Sequence, residues 1–471
     1  MRPAHRHGAI PLSRVAVGFA LSVWMLSGGV ARGQAFRTTG EGLNVGHFLL
    51  YPSVDFEYTD SDNVFYSSQD LPEDQIIKSG MTVVRPRILM DLPIGGNRIR
   101  WVYSPLYRDY TSKSFVQTQR FSHYFDFEAL HTGPVVTVRG GYHLVLGTEE
   151  LREVDRGGEL VFGTTPFKAY VTEAEVTLSM GARNGISVLP LYNAVAFDDS
   201  TPNSLIGYRR RQIEIRFQHA VSLTSQVFAF YSHEDSQQDR EQVLFGNVSY
   251  DARTAGLGLR RTLNREVVAF LHAGYKEMDF KGGSNSNFRG PAVDANATWQ
   301  VSDVTVLALS GVHQAFQSFY INNNYYLDTE VRFRLTHQVG RNVFWDTSIG
   351  FLNNRYADPL DISVTAETPP GQDCEPMIPD PGDPSQLICG GDGRIDIYES
   401  LQPSVGRRRH DRLYRAEVGA GWQLSPLLRL FIGYNSERRR SNVEQIVSGQ
   451  TVDPFAYSVN RILFRLEAGW Q

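Results

Sequence analysis

The chain has 471 residues, a formal net charge of −5 and a mean hydropathy of −0.29, with 41% hydrophobic and 21% charged residues. Past its first residues it holds no apolar run approaching the roughly 20 residues of a transmembrane helix, which excludes a helical membrane protein. The acidic balance argues against nucleic acid as a partner.

Residues 1–35 read as a signal peptide: Arg2, Arg6 and Arg14 precede an apolar run from Val15 to Leu26, and the small residues of SGGVARGQA follow. Cleavage is expected between Ala31 and Ala35, and it removes arginines but no acid, leaving a more acidic mature chain. An exported chain of this length without helical spans is soluble, peripheral or a transmembrane barrel.

From residue 46 onward the sequence falls into eighteen segments of period-two alternation, the pattern of half-exposed strands. They cover 47–58, 80–92, 98–110, 118–131, 135–146, 168–181, 185–196, 206–219, 226–235, 245–261, 267–280, 289–300, 304–316, 322–337, 343–356, 410–424, 428–438 and 457–470. Most reach the roughly 9 to 11 residues that a tilted membrane strand needs, beyond the five or six or so of ordinary strands. Every second connection is short, as in PIGGN, HTGP, ARNG, VSD, VGRN and LSPL, and the intervening ones are mostly longer and polar. That rhythm fits a barrel with short turns on one side and loops on the other. The fold expected is all-β: one antiparallel transmembrane barrel of eighteen strands over residues 36–471, with long outer loops at 59–79, 147–167 and 357–409.

Alternation also sorts the faces. In AYVTEAEVTLSMG, Tyr170, Thr172, Ala174, Val176, Leu178 and Met180 share one side, and Glu173, Glu175, Thr177 and Ser179 the other. A charge facing lipid near the midplane costs roughly 2 to 4 kcal/mol for Arg or Lys, so the polar side faces the lumen. Applied around the ring, the rule names as pore-lining candidates Arg85, Arg87, Arg100, Asp126, Glu128, Arg139, Glu173, Glu175, Arg210, Glu214, Arg216, Asp294, Glu330, Arg332, Arg334, Arg415, Glu417, Arg429, Arg465 and Glu467. Outward rows include Ile99, Trp101 and Tyr103, and Leu428, Leu430, Ile432 and Tyr434. Aromatics near strand ends, among them Tyr58, Trp299, Tyr325, Trp422, Tyr434 and Trp470, suit interfacial girdles. The last segment, SVNRILFRLEAGW, carries the same division, with Ile462 to Trp470 toward lipid and Arg461, Arg465 and Glu467 toward the lumen. It reads as the strand that closes the ring.

The two cysteines, Cys374 and Cys389, lie in the same Pro, Gly and Asp-rich stretch, where an oxidising compartment favours a disulfide closing the loop. In ICGGDGRIDIYE the residues Asp392, Gly393, Asp396 and Glu399 follow part of the EF-hand spacing, but Ile388 and Gly390 stand where carboxylates must ligate, so no metal site is expected. No hydrolase, zincin, P-loop or complete dinucleotide motif occurs, and GLGLRR holds two glycines inside a strand. The chain reads as no enzyme, and no cofactor is called for. Only five basic residues are lysine, so the lumen cations are nearly all arginine, whose planar fork suits carboxylates and sugar hydroxyls. The bland alternative is that these charges neutralise one another across strands.

The stretch LLYPSVDFEYTDSDNVFY, followed by VVRPRILMDLP, resembles the opening of the β-barrel porin 2 family, through Asp60, Asp62 and Asn63 and the strand around Pro86. DARTAGLGLRRTLNREVVAFLHAGYKEMDF is similar to the mid-barrel hairpin of that family. The resemblance implies an outer-membrane barrel associated with exopolysaccharide export, with periplasmic export proteins as partners, and carries over no catalytic residue. The terminal strand with Trp470 near its end also resembles the signal read by the barrel-assembly machinery, with Gln471 as a departure. Three functions remain open from sequence: a conduit for a secreted polysaccharide in the outer membrane of a Gram-negative bacterium, a general diffusion porin, or a binding barrel working through loop 357–409.

Overall fold

The computed structural model describes residues 42–64, 66, 68–70, 76–112, 121–147, 167–197, 207–238, 249–263, 266–281, 287–318, 323–359, 377–379, 387–389, 406–447, 450–453 and 455–470. The expected signal peptide, Cys374 and the side chain of Cys389 lie outside the described residues, as does most of the span from 357 to 409.

Eighteen long strands form the wall: β1 Phe48–Ser61, β2 Ser79–Ile94, β3 Asn97–Tyr110, β4 Phe121–Thr132, β5 Val136–Gly147, β6 Phe167–Met180, β7 Asn184–Phe197, β8 Tyr208–Ser222, β9 Ser225–Gln238, β10 Tyr250–Leu263, β11 Val267–Phe280, β12 Phe288–Ser302, β13 Thr305–Gln317, β14 Tyr325–Val339, β15 Val343–Pro359, β16 Arg408–Ser425, β17 Leu428–Arg440 and β18 Tyr457–Gly469. Each pairs antiparallel with the next, and β18 pairs with β1 from Ser53↔Gly469 to Ser61↔Arg461, so the sheet closes on itself. Closure is what the sequence demands: a strand apolar on one side cannot leave an unpaired edge in hydrocarbon, where each unmet backbone group costs several kcal/mol. The strands run from 12 to 18 residues, longer than their alternating cores, because they project past the apolar band. Three expected loops are accordingly shorter: β1 continues to Ser61 and β2 starts at Ser79, β5 and β6 take in Gly147 and Phe167, and β15 and β16 reach Pro359 and Arg408. Small ribbons that the alternation does not reveal lie at Leu43–Val45, which pairs with the start of β1, and at Met377–Pro379 with Leu387–Cys389 and Gln445–Val447 with Gln450–Val452.

The two ends of the barrel differ. At one end strands join through two or three residues, as at 95–96, 223–224, 303–304 and 426–427, with Gly95 at a φ of 57° that β-hairpin turns require and L side chains avoid. At the other end lie all the longer connections. Outward side chains are large and exposed, for example Ile99, Trp101 and Tyr103 on β3, Ile213, Ile215 and Phe217 on β8, and Ile462, Phe464 and Leu466 on β18. Trp299 and Trp345 stand near the turn end of this band, and Tyr58, Tyr275 and Tyr414 nearer the loop end. Tyr325 is an exception to the girdle reading: it stacks on Phe280 at 6.0 Å and meets Phe288 edge-on at 5.3 Å, inside a buried cluster with Tyr250 and Met278. A central core is replaced by four such clusters among the described residues, all toward the loop end.

Candidate functional site on the inner face

All twenty candidate residues lie on the face opposite the exposed apolar rows of their strands, and none of the twenty is fully exposed. What alternation cannot specify is how they combine. Most are tied into ion pairs. Arg139 Nε reaches Glu128 at 3.1 Å, and Asp126 is bound by His143 Nδ1. Arg216 clasps Glu214, with His272 Nε2 3.8 Å from the second oxygen, and Arg210 lies 4.0 Å from Glu234. Arg332 pairs with Glu330 at 2.8 Å, Arg334 with Asp346 at 2.9 Å, and Arg415 with Glu437 at 2.8 Å. Arg429 meets Glu467 at 3.1 Å and Arg465 meets Glu57 at 2.9 Å, across strands β17, β18 and β1. Glu175 stands across from Arg139 in register and accepts from Thr177 Oγ1 at 3.5 Å. Glu173 lies over Gly141, Asp294 is across from His272, and Glu417 is across from Ser348. Opposite charges fixed side by side in a partly solvated wall give each other modest stabilisation, of order 1 kcal/mol or less when exposed, and together hold the long arginine side chains flat against the sheet.

Arg85, Arg87 and Arg100 are different. Among the described residues none of them makes a hydrogen bond or ion pair, and the Nε atoms of Arg85 and Arg100 are buried without an acceptor.

Aromatic rings also face inward, and sorting the faces by charge alone does not single them out. Phe228 on β9 is paired with Gly258 on β10, and a Cβ on that glycine would lie 2.0 Å from the ring. Phe344 on β15 lies in the same way across Gly421 on β16, where a Cβ would again lie 2.0 Å from the ring. The glycines strip the wall to its backbone, and the rings lie down on it instead of standing into the lumen. Arg216 sits 5.5 Å from the Phe228 ring, Arg429 5.6 Å from Phe344 and Arg465 5.8 Å from Phe431, contacts in which a guanidinium is attracted to the ring face. His272 stacks on Phe230 at 3.7 Å. The signal for these positions was present in the sequence as Gly256 and Gly258, alternating glycines on the inward parity of a strand.

Toward the loop end, Asp411 is almost wholly buried and bound by Arg409 Nη2 at 2.9 Å and by Arg439. The Arg409 guanidinium is held between Tyr356, at 4.5 Å, and Phe455, at 3.6 Å. Just past β11, Lys281 bridges Asp235 at 2.9 Å and Asp251 at 3.4 Å, and the hydrogen bond to Asp235 raises its ammonium above the usual lysine range. Among the described residues no group of three or more His, Cys, Asp or Glu is placed to hold a metal ion.

No protein-family model matches the chain, and no curated protein matches it. Solved structures of similar form do exist. The outer membrane protein OpdK of Pseudomonas aeruginosa is 10% identical over 89% of this chain and 99% of its own, with a TM-score of 0.42. OccK2 (OpdF) of the same organism, solved in complex with glucuronate, is 9% identical over 89% of this chain and 98% of its own, with a TM-score of 0.43. The FrpB iron transporter of Neisseria meningitidis is 7% identical over 91% of this chain and 82% of its own, with a TM-score of 0.41. At these scores the likenesses carry nothing further about this chain.

Proposed function

We propose that the protein is a channel of the Gram-negative outer membrane that passes a polar solute, and that the solute is an exported polysaccharide delivered by periplasmic partners. The observation that carries the channel reading is the closed ring with charges on its inner face and large apolar side chains exposed on its outer face. Barrels of about 16 to 18 strands enclose an aqueous lumen, and an outward apolar band is stable only against lipid. The saccharide reading rests on the sequence resemblance described above and on the lumen chemistry. Arginine forks beside carboxylates offer donors and acceptors to hydroxyl-rich solutes, and flattened rings narrow the passage less than upright ones. A barrel of this kind reaches the membrane through the assembly machinery that the terminal strand resembles a substrate of.

The test is single-channel conductance of the refolded mature protein in a planar bilayer, with acidic and neutral polysaccharides added. Steady conductance that polysaccharide interrupts is the result expected. Steady conductance indifferent to every polysaccharide would leave a general diffusion porin, and absence of conductance would overturn the channel.

A further inference from the structure

The arginines of β2 and β3 without partners carry an inference that rests on the channel reading and names its substrate class. Register places Arg100 directly across from Asp91 on one side and Glu128 on the other, the geometry in which cross-strand ion pairs form. Both acids are taken. Arg98 holds Asp91 through Nε at 2.8 Å and again through Nη2, and Arg139 holds Glu128 at 3.1 Å. Arg87 faces Ser53 across the β1 ladder, with no acid opposite, and Arg85, although in register with Asp55, makes no hydrogen bond to it. The three guanidinium groups therefore form an axial strip that no acid of the wall holds by a hydrogen bond or close ion pair, whereas the other arginines among the candidates are paired.

The backbone beneath the strip is also distinct. Pairing between β2 and β3 lapses between Val84↔Tyr107 and Ile88↔Tyr103 and resumes without a change of register. Pro86 and Pro105 face this gap, and neither has an N–H to give to the ladder. Ser104 Oγ donates instead to the Pro86 carbonyl at 3.2 Å. Arg85 and Arg87 thus flank a proline of fixed φ, with their side chains on the same face about 6 to 7 Å apart along the strand.

An arginine nitrogen buried without an acceptor costs a folded protein stability, and Arg85 and Arg100 each carry one; with Arg87 on the same inward face, an acceptor that arrives in the lumen would give these guanidinium groups the partners the wall does not. We infer that Arg85, Arg87 and Arg100 form a binding strip for the carboxylates of an acidic saccharide chain as it passes along the wall. The planar fork of each guanidinium matches a carboxylate in two hydrogen bonds, and the axial spacing lets one extended chain engage successive arginines. Neutral saccharides find no such complement there.

The experiment measures binding of an oligogalacturonate, and of a neutral oligosaccharide of equal length, to the full mature barrel refolded in detergent, by calorimetry at low and moderate salt. The strip predicts binding of the acidic oligomer only, weakened by salt and lost as pH falls through the carboxylate range near about 4. Replacing all three residues, Arg85→Gln, Arg87→Gln and Arg100→Gln, weakens binding about tenfold or more. The triple Arg→Lys variant keeps the charge but not the fork and falls between. Should the Gln variant fail to fold, the Lys variant and the single Arg87→Gln change carry the comparison. Absence of binding to the wild-type barrel, equal binding of both oligomers, or unchanged binding by the variants would overturn the strip. Because binding is read in detergent, a barrel that binds but does not conduct removes the channel and not the strip, and one that conducts but does not bind removes the strip and not the channel.

Discussion

Asp62 and Asn460 are joined by three hydrogen bonds across the seam of the barrel: the Asn460 N–H and Nδ2 each donate to the Asp62 carboxylate at 2.7 Å, and the Asp62 N–H donates to the Asn460 carbonyl at 3.2 Å. Asn460 Oδ1 in turn accepts from Tyr434 and Ser436 of β17 at 2.8 and 2.9 Å. The contact ties the exit of β1 to β17 and β18 at the loop end, where the ladder between first and last strands would otherwise fray. Asp62→Ala should lower the stability of the refolded barrel by about 1 to 3 kcal/mol, the range for hydrogen bonds to a charged group. Urea unfolding in detergent, followed by tryptophan fluorescence, checks this, and Asp62→Asn should restore part of the loss.

The assignment of faces predicts opposite outcomes for one residue type at adjacent positions. Ile349 is exposed on the lipid side of β15, and Ser348 faces inward across from Glu417. Ile349→Arg should cost roughly 2 to 4 kcal/mol if near the midplane, whereas Ser348→Arg gains a carboxylate neighbour and should fold close to the wild-type level. Equal losses for the two would reverse the assignment.

Gly258 and Gly421 should tolerate no branched side chain. Either Gly258→Val or Gly421→Val must displace the Phe228 or Phe344 ring from the strand backbone, costing about 1 to 3 kcal/mol as overpacking does. The displaced ring enters the lumen, so channel conductance should fall in the same variants. Adding Phe228→Ala to Gly258→Val should recover conductance, which distinguishes a blocked lumen from a damaged barrel.

Removing the acid from the buried Arg409–Asp411–Arg439 group leaves two guanidinium groups facing each other. Asp411→Ala should destabilise by about 3 to 5 kcal/mol, visible as a lower temperature of the band shift of the folded barrel on gels. Asp411→Leu combined with Arg439→Met should be milder, because it removes a charge from each side of the group.

Lys281 lies outside the spanning segments and binds two acids, so its folded value is raised above the ordinary 10.5. A raised lysine adds stability that is whole below about pH 10.5 and is lost as pH climbs through the raised value. The side chain is well exposed, so the effect should be a few tenths of a kcal/mol, read as a small difference between wild type and Lys281→Met that vanishes at high pH.

Much of this architecture is legible in sequence, for a physical reason: lipid outside and water inside impose a two-residue period on every strand, so Ile99, Trp101 and Tyr103 separate from Arg98 and Arg100 by inspection. Ion pairing is not legible, because it depends on register between strands. Arg334 pairs with Asp346 although Ser348 is the residue across from it, while Arg100 makes no hydrogen bond although acids stand across from it on both sides, and the geometry of Arg98 decides the second case. Phe228 and Phe344 are not legible as inward rings from charge alternation, because the deciding residues are the glycines on the neighbouring strands. Asp62 and Asn63 were visible as a family-like motif, but their work at the seam involves a strand at the far end of the sequence.

The unequal ends of the barrel have a consequence for how it enters a bilayer. An even number of strands places Phe48 and Gly469 together at the turn end, so every polar connection of any length lies on the other side. Only hairpin tips of two or three residues need cross hydrocarbon if the turn end leads, yet the entire polar loop set must cross if the turn end stays behind. The bulky loops therefore cannot be threaded one at a time without exposing their backbone groups to lipid. Insertion from the periplasm requires that the ring be assembled around its loops, sheltering them in the forming lumen until they emerge, and the width that passes solute in the finished protein is the same width that passes its own loops during its making.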